Sequence, residues 1–114
     1  MHVALAEVSL SLIGHHERGA RRKALRSLMD RVRARHRVSI ADLNPDAAPE
    51  APRLGVAICA SDAREAERML GEVLRTIEGA HVGLVTRVER EIFLWGKEEE
   101  VELAALWAQR SQTK

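Results

Sequence analysis

Between Glu17 and Arg37 the chain places nine of its eighteen Lys and Arg residues, opposed only by Glu17 and Asp30. The whole protein is formally +1, so this short stretch is strongly basic and the remainder is net acidic. The chemistry open to such a segment is anion recognition, because guanidinium groups grip phosphate oxygens bidentately and a row of them can follow a nucleic-acid backbone. On a helix with Leu25 as origin, Arg22 lies at about 60°, Arg33 at about 80°, Arg26 at about 100° and Lys23 at about 160°. These four share one flank, and Arg22 to Arg33 spans about 16 Å at the helical rise. Arg18 and Arg21 extend the row at the helix start, whereas Arg31 and Arg35 fall on the opposite flank. The competing reading is a solvated face neutralised by the acidic second helix or tail.

Other residue types offer less. The loop Gly14-His15-His16-Glu17-Arg18-Gly19 leads into a helix N-terminus, where backbone N–H groups and Arg18 suit an anion. It lacks the fixed loop arginine and water-positioning asparagine of an acylphosphatase, a class that uses a comparable loop. His15 and His16 are adjacent, and His2, His36 and His81 are scattered, so no i, i+3 or i+4 pair suggests zinc. The single cysteine, Cys59, has no histidine beside it and reads as a small strand residue. Glu89 and Glu91 alternate onto one strand face together with Arg87, which favours ion pairing over acid–base chemistry. The expectation is a non-enzymatic protein without cofactor or metal. Phe93, Trp95 and Trp107 are the only aromatics, which argues against base stacking on a sheet and for backbone or shape recognition of RNA.

The elements that must carry these residues follow from periodicity. Ala4, Ala6, Val8, Leu10 and Leu12 alternate with Glu7, Ser9 and Ser11, giving a half-buried strand. From Glu17 the period changes, and Leu25, Leu28, Met29, Val32 and His36 form one helical stripe. Val38–Leu43 reads as a second strand, and Asn44–Pro52, with all three prolines, as a loop. Leu54, Val56, Ile58 and Ala60 mark a third strand. Ser61-Asp62 caps a helix striped by Ala66, Met69, Leu70, Val73, Leu74 and Ile77, with Gly79 as its stop. Val82–Trp95 is a long fourth strand, with Val82, Leu84, Val88, Ile92 and Leu94 facing the helices. A final helix is expected over Lys97–Arg110.

The order β-α-β-β-α-β predicts an α+β, ferredoxin-like sandwich with a four-stranded antiparallel sheet, plus a C-terminal helix. The domain covers residues 1–96 and the helical extension 97–114. Right-handed crossovers set strands one and three at the centre, with both helices on one face. Val3, Leu5, Ala57, Cys59, Val85, Phe93 and Trp95 then line the other face. That strip predicts a cover, either the last helix through Val101, Ala104 and Trp107 or a second subunit in a homodimer. The chain is 114 residues long, one domain in size, and has no apolar run of the ~20 residues a membrane span needs. With no signal-peptide pattern at the start, cytoplasmic residence is expected.

Arg21-Arg22-Lys23-Ala24-Leu25-Arg26-Ser27-Leu28-Met29-Asp30-Arg31-Val32-Arg33, followed by Val38-Ser39-Ile40-Ala41-Asp42, resembles the YlxP-like family. Leu54-Gly55-Val56-Ala57 and Val88-Glu89-Arg90-Glu91-Ile92 fit its third and fourth strands, so the likeness runs over residues 3 to 94. It implies a small bacterial protein of ferredoxin-like fold and no assigned enzymatic activity. Relatives are often encoded beside translation-initiation and ribosome-maturation genes, which implies a ribosome-linked role. The chain departs from the family pattern at Glu17-Arg18-Gly19-Ala20, at His36, and in the loop Pro45 to Pro52. Residues and resemblance together predict an RNA- or ribosome-associated protein that contacts phosphates through Arg18, Arg21, Arg22, Lys23, Arg26 and Arg33. The alternative is an assembly module that dimerises through Val3, Leu5, Phe93, Trp95 and Trp107.

Overall fold

Strict alternation in the first strand fixes where the core lies. In the computed structural model, which describes residues 1–12, 17–45, 51–96 and 106–110, Ala4, Ala6, Val8 and Leu10 of β1 (His2–Ser11) are all buried on one face. The chain continues through α1 (Arg18–Arg35), β2 (Ser39–Asp42), β3 (Arg53–Ala60), α2 (Ala63–Gly79) and β4 (Leu84–Leu94). The sheet order is β2-β3-β1-β4, every neighbour pair antiparallel. This is the expected α+β, ferredoxin-like arrangement, with residues 106–110 adding a short helical turn. Residues 97–105 and 111–114 of the expected extension, including Val101 and Ala104, lie outside the described residues.

Both helices cover the face that β1 presents. Leu25, Leu28 and Val32 are the buried stripe of α1, and Ala66, Leu70, Val73 and Ile77 that of α2. They close over Val8, Leu10, Leu54, Val56 and Ile58 in one continuous apolar cluster. Each fully buried aliphatic side chain contributes about 1.5–3 kcal/mol by leaving water, so this one-sided core carries most of the fold's stability. At the start of α2, the Glu65 backbone N–H donates to Asp62 Oδ1 at 2.8 Å, the cap its sequence calls for.

Two details differ from the sequence expectation. Ser9 pairs with Arg87 while Leu10 pairs with Val85, so Thr86 is an extra residue, a β-bulge, and its hydroxyl donates to the Ser9 carbonyl at 3.2 Å. The bulge reverses strand parity above it. Val85, expected on the uncovered face, packs against the core, and Leu84, expected inward, is 66% exposed. Leu94, at the far end of β4, is equally exposed because it sits beyond the helices' cover. The second difference is at the end of α2, which runs through Gly79; the left-handed position falls instead on His81, at φ 52°.

Two glycines have opposite demands. A methyl group at Gly83 would meet the Ser11 carbonyl oxygen at 2.5 Å and Leu12 Cδ2 at 2.7 Å, whereas one at Gly71 would meet nothing closer than Arg75 Nη1 at 3.5 Å. Gly83→Ala is therefore expected to destabilise the protein by about 1–3 kcal/mol. Gly71→Ala, in a helix interior, should stabilise it by up to about 1 kcal/mol. Urea denaturation checks both signs, and a neutral Gly83→Ala would contradict the close approach of β4 to the end of β1.

Candidate nucleic-acid interface

Because α1 buries its Leu25–Leu28–Val32 stripe with Met29 packed beside it, most of the remaining helix surface faces solvent, and that surface is basic. Arg18, Arg22, Lys23 and Arg26 are exposed, and Arg21 is half-buried. Among the described residues no carboxylate lies within ion-pairing distance of Arg18, Arg22, Lys23 or Arg26. The acids of α2 do not neutralise them. Glu65 and Glu72 both bind Arg68 of their own helix, Glu72 at 2.6 Å, and Glu67 reaches Arg90 on β4 at 3.1 Å. The hydrogen bond from Arg68 holds the Glu65 carboxyl below its ordinary pKa, and the two carboxylates in turn raise that of Arg68.

The local chemistry of α1 is unusual for a helix. Its first turn contains no acidic residue, and the Glu17 side chain makes no capping hydrogen bond. Arg18 and Arg21 instead place positive charge at the positive end of the helix dipole, which costs about 0.3–1 kcal/mol per charge. A helix built only for stability would carry acids there. An anion held at this end would offset the repulsion.

The sixth predicted phosphate contact, Arg33, has a structural commitment. Its Nη2 donates to the Ile40 carbonyl of edge strand β2 at 2.9 Å, and its Nη1 lies 3.5 Å from Asp30 Oδ1. It shares the flank of Arg22 and Arg26 in angle, yet in the last turn of α1 that flank meets β2. Sequence reasoning also set aside Arg31 and Arg35. They line a groove of about 520 Å³ between the ends of the two helices, together with His36, Glu72, Arg75 and Thr76. The signal for this grouping was a pair of arginines one turn apart, but Arg75 joins them only through tertiary packing.

The opposite face of the sheet stands uncovered by the described residues. Val3 pairs with Phe93, both half-buried, while Leu5 is 41% exposed and Trp95 62% exposed. Cys59 is exposed on the same face, not sheltered in a core. Leu43 folds over Gly55 and borders a shallow groove of about 450 Å³ with Leu5, Ala41, Ala57 and Glu89. Trp107, part of one of the two covers expected for this face, is 69% exposed. Glu89 pairs with Arg87 at 2.7 Å, an ion pair along the strand. No cluster of three or more His, Cys, Asp or Glu side chains that could hold a metal exists among the described residues. Among them, too, no helix is long and apolar enough to cross a membrane. His15, His16 and residues 46–50 of the proline loop lie outside the described residues.

This geometry lies within a known family. The family profile for proteins of unknown function DUF503 matches residues 3–90, from β1 through most of β4. The chain belongs to the DUF503 family. The match takes in all of the basic helix and ends before Phe93, Trp95 and Trp107. No curated protein matches this DUF503 chain.

The two ends of α1 should respond to mutation in opposite ways. Arg33→Ala is expected to lower stability by about 1 kcal/mol through loss of a charge-assisted hydrogen bond to Ile40. Arg18→Glu should raise it by a few tenths up to about 1 kcal/mol, by placing an acid at the dipole's positive end. Denaturant titration at low ionic strength measures both, and stabilisation by Arg33→Ala would contradict its role as a tie to β2.

Proposed function

We propose that this DUF503 protein is a non-enzymatic RNA-binding protein that contacts phosphates through α1 and associates with the ribosome or its precursors. The observation that carries this reading is the row Arg18, Arg22, Lys23 and Arg26, exposed and without a carboxylate partner among the described residues, while the acids of α2 are satisfied elsewhere. Placing positive charge at a helix N-terminus costs stability unless an anion is bound, and RNA phosphates supply one. The half-buried Arg21 extends this row, and Arg33, tied to Ile40, contributes more to the shape of the surface than to the ligand. The ribosomal direction comes from the YlxP-like resemblance; the basic helix itself supports an anionic partner. With Phe93 and Trp95 confined to one end of one strand, binding follows backbone and shape, with weak sequence preference.

The uncovered sheet face favours a second reading of a different class. Leu5 and Trp95 leave apolar surface in solvent beside Val3 and Phe93, which suits self-association of two copies. Dimerisation through that face leaves α1 exposed on the opposite side of the sheet, so the two activities are compatible.

Sedimentation of a cell lysate through sucrose gradients separates the readings. The wild-type protein is expected to travel with a ribosomal subunit at low salt and to remain at the top at high salt. Arg22→Glu combined with Arg26→Glu should remain at the top at both. Co-migration unchanged in the double variant would remove α1 from the RNA-binding assignment.

A further inference from the structure

The longest strand of the sheet, β4, lies at an edge. Met1 and Trp95 exchange backbone hydrogen bonds, the Trp95 N–H donating at 2.8 Å and the Met1 nitrogen at 3.4 Å. In an antiparallel ladder such exchanges recur at every second residue, so Phe93, Glu91, Glu89 and Arg87 also bond to β1. The N–H and C=O groups of Val88, Arg90 and Ile92 therefore point away from the sheet, without a partner among the described residues. A long unpaired edge is a template for a further strand unless something blunts it. The opposite edge is blunted by its length, since β2 has only four residues.

The side chains along β4 leave this edge accessible. Arg90, on the helix side of the sheet, is drawn back to Glu67 of α2 at 3.1 Å. Val88, on the same side, keeps 36% of its surface in water although its ladder partner Val8 is fully buried. On the open side, Arg87 and Glu89 form an ion pair at 2.7 Å along the strand. The order Arg87, Val88, Glu89 is its own complement when two copies run antiparallel about Val88. The bulge at Thr86 ends the regular edge on one side and leaves the run from Arg87 to Leu94 in register with β1.

We propose that β4 pairs antiparallel with β4 of a second copy about a two-fold axis at Val88, joining the two four-stranded sheets into one. At this axis the two Val88 residues exchange their outward backbone bonds, and each Arg87 lies opposite its partner's Glu89 on the open side. Charge places the axis. At Arg87 or Arg90 it would set an arginine against its own copy, and at Glu89 it would set two carboxylates together. Such like-charge pairs destabilise a ladder, and Val88 is the position between those residues that avoids them. The two Val88 side chains meet across the axis on the helix side and leave water. This edge is separate from the open face of Val3, Leu5, Phe93 and Trp95, which the pairing leaves uncovered. The helices of both copies stay on one side of the joined sheet, so the α1 rows remain exposed and the inference does not depend on RNA binding.

Sedimentation equilibrium of the full chain is expected to show a concentration-dependent dimer. Val88→Pro removes the outward N–H at the axis without touching a bond to β1, and should give a monomer that circular dichroism shows to be folded. Arg87→Glu sets carboxylates opposite each other at both sides of the axis and should weaken the dimer by about tenfold, and Arg87→Glu/Glu89→Arg should restore it. Cross-linking locates the interface even where the proline variant does not fold. Cα atoms of a hydrogen-bonded antiparallel pair lie about 5.5 Å apart, within reach of a disulfide. Val88→Cys in a Cys59→Ser background should therefore oxidise to a covalent dimer. Val88 points away from the open face, so a dimer formed through that face gives no such cross-link. A monomer at every concentration, or a dimer that yields no cross-link through Val88→Cys, would overturn the edge pairing.

Discussion

Everything in this molecule depends on the one-sided burial of β1. Ala4, Ala6, Val8 and Leu10 point to the same face of the central strand, so both helices must pack on that side. The consequence reaches beyond stability. Each helix is held by a narrow apolar stripe and is released from the core over the rest of its circumference. The sheet's other face receives no helix at all. One packing decision thus creates a solvent-facing cationic helix, a groove where the helix ends converge, and an uncovered apolar strip.

Charge is then sorted by local chemistry. Arg68 sits within reach of Glu65 and Glu72 on one helix, and Arg90 on β4 takes Glu67, so the acids of α2 are consumed close to home. Such exposed pairs add only ~0–1 kcal/mol each to stability. Their larger effect is to prevent α2 from neutralising α1. The near-zero net charge of the protein consequently conceals a dipolar surface, and the positive side of it coincides with a helix end whose backbone already favours anions.

Much of this was legible in the sequence because period-two and period-3.6 patterns were clean in β1, α1, β3 and α2. The bulge at Thr86 was not. Leu84 and Val85 are both apolar, so the pattern permits either parity, and only pairing with Ser9 and Leu10 decides it. α2 ends at Gly79, where its sequence places the stop, yet the left-handed conformation such a glycine favours is adopted by His81 instead. Helical angles put Arg22, Lys23, Arg26 and Arg33 on one flank of α1 but could not report that the last turn abuts β2, which turns Arg33 into a tether. The convergence of Arg75 with Arg31 and Arg35 was invisible, because no local period links residues forty positions apart.

The central claim is that α1 binds RNA through its phosphates, and the most direct test is the salt dependence of affinity for a structured RNA hairpin. Four phosphate contacts release condensed counterions, so log affinity should fall against log salt with a slope of about −3. The slope should approach zero in a protein lacking Arg18, Arg22, Lys23 and Arg26. Affinity that is insensitive to salt, or a slope unchanged without those four side chains, would contradict the account.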